Sequence, residues 1–138
     1  MHCSRPFHVL EPSSSPILAA AWSPSRPLVL AAGAGDGTLF IYDLKRSRAK
    51  PEVTLKVTTD KSAVTALAFN PQSPELLATA DAQGHVKIWR LSTALSKMSE
   101  RELPALRRMV GAAQARVADD ADEAEEGYGD DNYEDDDE

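Results

Sequence analysis

The residues of this 138-residue chain that could do chemistry are few and scattered. Gly33–Gly37 reads GAGDG, superficially a phosphate-cradling loop. Such a loop needs a strand before it and a helix after it, with the helix N-terminus facing the phosphates. The next segment is instead Leu39–Leu44, a run of β-favouring residues, so GAGDG reads as a hairpin turn carrying Asp36 and Gly37. His2, His8 and His85 share neither a helix face nor a metal-ligand spacing, which argues against a metal site. Cys3 is the only cysteine, so neither a disulfide framework nor a cysteine-rich zinc site is available. It reads as an inert thiol in a reducing compartment. Ser13–Ser15 and Ser23 carry no nucleophile-elbow pattern, and the turn explains Asp36 without a catalytic role. Ser15-Pro16, Ser23-Pro24 and Ser73-Pro74 fit kinase targets, but each is more simply a turn. The expectation is a non-catalytic protein without cofactor or metal.

The elements that would position these residues repeat. Shifting the sequence by about 47 residues pairs Pro16–Leu44 with Ala63–Leu91, matching Pro24 with Pro71, Pro27 with Pro74, Gly37 with Gly84 and Trp22 with Phe69. In the first unit Ile17–Trp22, Leu28–Gly33, Leu39–Leu44 and Glu52–Thr58 read as strands, broken by Ser23-Pro24 and Asp36-Gly37. In the second, Ala63–Phe69, Leu76–Ala80 and Val86–Leu91 repeat three of them. Strands apolar on both faces belong between neighbouring sheets, since a half-solvated sheet alternates polar and apolar more cleanly.

LVLAAGAGDGTLFIYDL and LLATADAQGHVKIWRL resemble the second half of WD40 repeats. The resemblance implies an all-β fold of two β-propeller blades, part of a larger propeller, followed by a short helix and a disordered acidic tail. It places the blades at residues 6–92 (about 16–61 and 62–92), with 6–10 closing a preceding blade, a helical segment at 93–118 and the tail at 119–138. Its structural positions fall on Asp36, Gly37, Tyr42, Asp43, Thr79, Gly84 and Trp89. Tyr42-Asp43 and Trp89-Arg90 stand where Trp-Asp is usual, Gln83 replaces the turn aspartate, and neither unit has the usual Gly-His pair. The run Asp43–Thr93 is further similar to the last two blades of dynein intermediate chains, most of all those of dynein-2. That implies a scaffold that holds the dynein heavy chain and other dynein-2 subunits in retrograde intraflagellar transport, in cytoplasm, cytoskeleton and cilium or flagellum. ATP hydrolysis would belong to the heavy chain.

Two blades alone leave open borders at both ends, so the chain is expected to be a fragment of a longer protein without the light-chain-binding segments. After the blades, Ser99 and Glu102 form a capping-box pattern, and Leu103, Leu106, Val110, Ala113 and Val117 recur at helical spacing. Pro104 inside that helix conflicts with it unless the helix begins nearby. The bland role of this helix is to pack its apolar stripe on the propeller rim; the alternative is to dock a partner subunit.

The net charge of −7 conceals two opposed parts. Asp119–Glu138 holds thirteen of the 22 acidic residues and no basic one, while the remainder carries 15 Lys/Arg against nine Asp/Glu. Such a tail would be repelled by nucleic acid, and it can fold back on the positive body. It also motivates a second reading, a nuclear WD40 adaptor or histone-binding chaperone. No apolar run reaches the eighteen residues of a membrane-spanning helix.

Overall fold

The structure is a computed structural model and describes residues 5–112. The first sheet is antiparallel, with strands in the order β1 (Ile17–Trp22), β2 (Val29–Ala34), β3 (Thr38–Asp43) and β4 (Val53–Lys56). The second follows the same pattern with β5 (Val64–Phe69), β6 (Leu76–Asp81) and β7 (Val86–Arg90). A one-turn helix, α1 (Thr93–Ser96), leads to a longer helix α2, at residues 102–112 within the described part.

The duplication persists in the hydrogen bonds. Ser23 N–H donates to the Val29 carbonyl as Asn70 N–H does to Leu76, and Gly35 donates to Pro16 as Ala82 does to Ala63. Leu44 donates to Leu28 as Leu91 does to Glu75. Even the β-bulge recurs, between Ile17 and Ala19 in β1 and between Val64 and Ala66 in β5. These features are local: each proline removes a donor, each hairpin Gly takes a left-handed φ, and the chain between them is long enough for one strand.

Both faces of the first sheet are buried along its inner strands β2 and β3, while β1 stays largely exposed, with Ile17, Leu18 and Trp22 open to solvent. On one face, Val29, Ala31, Leu39, Ile41 and Val57 pack against Val64, Leu77 and Leu95, which joins the two sheets. Contact between the sheets is close at Gly33, where an added Cβ would lie 2.6 Å from Val64 Cγ1. On the other face Leu28, Ala34, Phe40, Tyr42 and Leu44 pack against Met109, with Leu10, Ala105 and Leu106 alongside. The expectation of two open ends is therefore met at one end only. Helix α2 and the entering chain cover the first sheet where another blade would stack.

Helix α2 departs from the apolar stripe read in the sequence. Leu103 is 44% exposed, while Glu102 has no exposure at all. Met109 is buried, and Ala105 and Leu106 are half-buried, so the inward face runs through 102, 105, 106 and 109. Pro104 lies in the first turn, where its missing N–H has no intrahelical acceptor to lose. Residues 113–138, which include Ala113, Val117 and the expected disordered tail, lie outside the described residues.

The two hairpin glycines give a paired test. Gly37 has φ +84°, and a Cβ there would fall 1.9 Å from Thr58 Oγ1 and 2.8 Å from the Ser62 carbonyl oxygen. Gly84 has φ +89° but open space around it. Gly37→Ala is expected to cost about 2–3 kcal/mol, from backbone strain plus overlap, and Gly84→Ala about 1 kcal/mol from strain alone. Urea unfolding of the two variants measures the difference, and equal losses would remove the packing role assigned to Gly37.

Candidate functional site: a buried clasp and an open sheet face

In the first hairpin Asp36 Oδ1 accepts the Thr38 N–H at 3.1 Å, an Asx turn closed by Gly37. Hydrogen bonding from Thr38 holds the Asp36 carboxyl below the usual carboxylate range. In the second hairpin Gln83 cannot take that role, and Asp81, two residues earlier, supplies the acceptor. Its Oδ1 receives the N–H of Gln83 at 2.9 Å and of His85 at 3.1 Å. The His85 amide is the main cause of its lowered pKa, against desolvation, with the Gln83 amide and the His85 ring adding to it. Gly84 completes this turn at positive φ. The departure at Gln83 is thus compensated within the same turn, a shift invisible to a position-by-position comparison with the first unit, where Ala34 occupies that place.

Thr79 is buried on β6, and its Oγ1 accepts the Trp89 Nε1–H at 2.9 Å, tying β6 to β7 across the sheet. Tyr42, the counterpart of Trp89, is buried instead against α2, and burial raises its hydroxyl pKa. Asp43 sits beside it at the end of β3, 3% exposed.

Asp43 belongs to a constellation that the spacing of residues did not reveal. Arg26, in the β1–β2 connection, places Nη1 3.1 Å from Asp43 Oδ2, and its Nε donates to both oxygens of Glu102 at 3.0 Å. Arg26 Nη1 also donates to the Ala94 carbonyl at the start of α1, and Ser25 Oγ donates to the Ser96 carbonyl at 2.6 Å. Burial works against the guanidinium charge, but the hydrogen bond to Glu102 and the charges of Asp43 and Glu102 outweigh it and hold its pKa above the ordinary arginine value. One buried cation therefore joins the first sheet to both helices. Glu102 also reaches back to the Ser99 N–H at 3.4 Å, the return arm of the capping box. The sequence carries a trace of this clasp: Arg26 and Asp43 stand where the second unit has Ser73 and Arg90, and Glu102 belongs to the capping pattern.

The second sheet presents the opposite situation. Its inner face carries Leu77, Thr79 and Asp81 against the first sheet. Its outer face carries Ala66 and Ala68 on β5, Ala78 and Ala80 on β6, and Val86 and Ile88 on β7, registered as neighbours. Val86 is 68% and Ile88 64% exposed. A row of small residues flanked by branched ones is a surface shaped for another sheet rather than for water.

Among the described residues no group of three His, Cys, Asp or Glu is placed to hold a metal ion. His8 bonds the Arg48 carbonyl oxygen at 2.7 Å, while His85 lies at the second hairpin; His2 and Cys3 lie outside the described residues. No described helix is long and apolar enough to cross a membrane.

Residues 4–43 and 50–90 match the family of the WD domain, G-beta repeat. The chain is 46% identical over 97 residues to the human cytoplasmic dynein 2 intermediate chain 2, an alignment covering 70% of this chain and 18% of that protein. Its mouse counterpart is 44% identical over 100 residues, covering 72% and 19%. Protein transport protein SEC31 of Mycosarcoma maydis is 33% identical over 102 residues, covering 74% of this chain and 7% of that one. The 78 kDa dynein intermediate chain of the flagellar outer arm of Chlamydomonas reinhardtii is 34% identical over 82 residues, covering 59% and 12%. The chain is thus related to dynein intermediate chains and spans about a fifth of the length of the mouse and human relatives it matches.

Proposed function

The chain belongs to the WD40 repeat family, and from that premise we propose that it is a non-catalytic scaffold, the C-terminal propeller part of a dynein-2-like intermediate chain. In this reading it binds the dynein heavy chain, alongside other dynein-2 subunits, for retrograde intraflagellar transport in the cytoplasm and cilium or flagellum. The heavy chain hydrolyses ATP, and this chain supplies rigid surface. Asp36, Gly37, Tyr42, Asp43, Thr79, Gly84 and Trp89 act as structural positions of the two blades, without catalytic duty. The blades occupy about 16–61 and 62–92, with a helical segment after them.

The observation that carries the reading is the uncovered outer face of the second sheet. Burying Val86 and Ile88 against further sheet surface gains about 25 cal/mol for each Å² of apolar area removed from water. Kinship with dynein intermediate chains supports the choice of partner. The test is a pulldown from ciliated cells with the full chain and with a Val86→Asp/Ile88→Asp variant. Recovery of dynein heavy chain by the first and a several-fold loss by the second are expected. Recovery of no dynein subunit overturns the assignment. Recovery of histones instead, abolished by deleting 119–138, would replace it with the chaperone reading.

A further inference from the structure

Between the first sheet and α2 lies an open cleft of about 630 Å³ whose charged lining has one sign. Lys45, Arg46 and Arg48 enter it from the β3–β4 connection, and Arg101 and Arg108 from the helical side. Among the described residues no carboxylate lines it. Arg46 is neutralised by Glu52 at 2.5 Å. Among the described residues, Lys45, Arg48, Arg101 and Arg108 have no carboxylate partner. Four such cations around one concavity repel one another, and that repulsion is relieved by a polyanion. The floor is apolar, from Leu28, Leu44 and Met109, which lowers the local dielectric and strengthens each charge contact.

We propose that this cleft is the docking site of the chain's own acidic segment, Asp119–Glu138. Charge and connectivity together select that occupant. The segment carries thirteen carboxylates and no cation, the complement of the cleft. Ala112, the last described residue, lines the cleft itself, so the segment departs from its rim. Only residues 113–118 intervene, and an extended linker of that length spans roughly 20 Å, enough to return to a site at its own root. A short tether makes the local carboxylate concentration of millimolar order, so weak individual pairs suffice. Tyr128 and Tyr133 add rings that suit arginine faces and the apolar floor. Occupied in this way, the cleft's positive charge is covered and the excess carboxylates turn the surface acidic; vacated, the cleft presents a basic surface to partners. Neither the charge match nor the tether depends on the dynein assignment.

The test uses the full chain, a chain ending at residue 118, and a synthetic peptide of residues 119–138. The peptide is expected to bind the shortened chain, to bind the full chain at least tenfold more weakly because its own tail competes, and to weaken at least tenfold in 0.5 M salt. The surface triple variant Lys45→Glu/Arg48→Glu/Arg108→Glu should lose the peptide while keeping its urea midpoint. Arg48→Gln/Arg108→Gln serves as the milder variant should the reversal disturb folding. Equal peptide affinity of the full and shortened chains overturns the proposal, as does undiminished binding by either cleft variant. Fluorescence transfer between labels at position 47 and the C-terminus should be independent of protein concentration. A concentration-dependent signal would assign the cleft to a second copy's tail and overturn the intramolecular form.

Discussion

Arg26→Met is expected to lower the unfolding free energy by about 3–5 kcal/mol, the usual cost of removing one partner from a buried ion pair. Methionine keeps the stem of the side chain but removes the cation that Asp43 and Glu102 share at 3.1 and 3.0 Å. Two buried carboxylates are then left without their shared cation, Glu102 with no exposure and Asp43 with almost none. The Ala94 carbonyl also loses its donor. Helix α2 should loosen first, because Glu102 is its buried charged anchor and Met109 its buried apolar one. Denaturant unfolding gives the magnitude, and amide exchange over 102–112 gives the place. A loss below about 1 kcal/mol would show that the clasp is loosely hydrated and holds nothing. A double-mutant cycle with Glu102→Gln should return a coupling well above that of a surface pair, which is at most about 1 kcal/mol. Loosening α2 would also uncover Phe40, Tyr42 and Leu44, so the variant is expected to self-associate more readily.

The second large effect is expected at Leu77. It is wholly buried in the cluster that joins the sheets, within a core built from Val29, Ala31, Leu39, Ile41, Val57, Val64 and Leu95. Leu77→Ala removes its contacts and leaves a cavity in a close-packed site, with a cost of about 2–5 kcal/mol. The second sheet has three strands and one uncovered face, so it has little else to rest on. Its unfolding should therefore track that of the first sheet only while this interface is intact. Val86→Ala is the control. At 68% exposure it should change stability of the isolated chain by no more than about 0.5 kcal/mol. If Val86→Ala and Leu77→Ala cost the same, the interface between sheets is not where the second sheet gains its stability.

Much of the fold is legible in the sequence because its determinants are short-ranged. Ile17–Trp22 has the same ends in sequence and structure, and the other strands differ from their expected ends by up to two residues. The two hairpins lie where Asp36-Gly37 and Gln83-Gly84 predict turns. Helix α2 is less legible. Its apolar spacing points to Leu103, yet Glu102 faces inward, because an ion pair with Arg26 outranks the burial of one leucine in setting the helix rotation. The candidate site divides in the same way. The turn residues Asp36, Gly37 and Gly84 are set by their neighbours, whereas the clasp joins residues separated by 17 and 76 positions, and the sequence leaves only a trace of it.

The amino-acid order alone thus settles that a strand module is duplicated and where each turn falls. Each of these depends on neighbours a few positions apart. Only the three-dimensional packing decides that α2 covers one outer sheet face and leaves the other bare, that Arg26 meets Asp43 and Glu102, and that five cations gather around one cleft. Those outcomes depend on which distant segments meet, and burial of charge fixes that choice only once the sheets are in place.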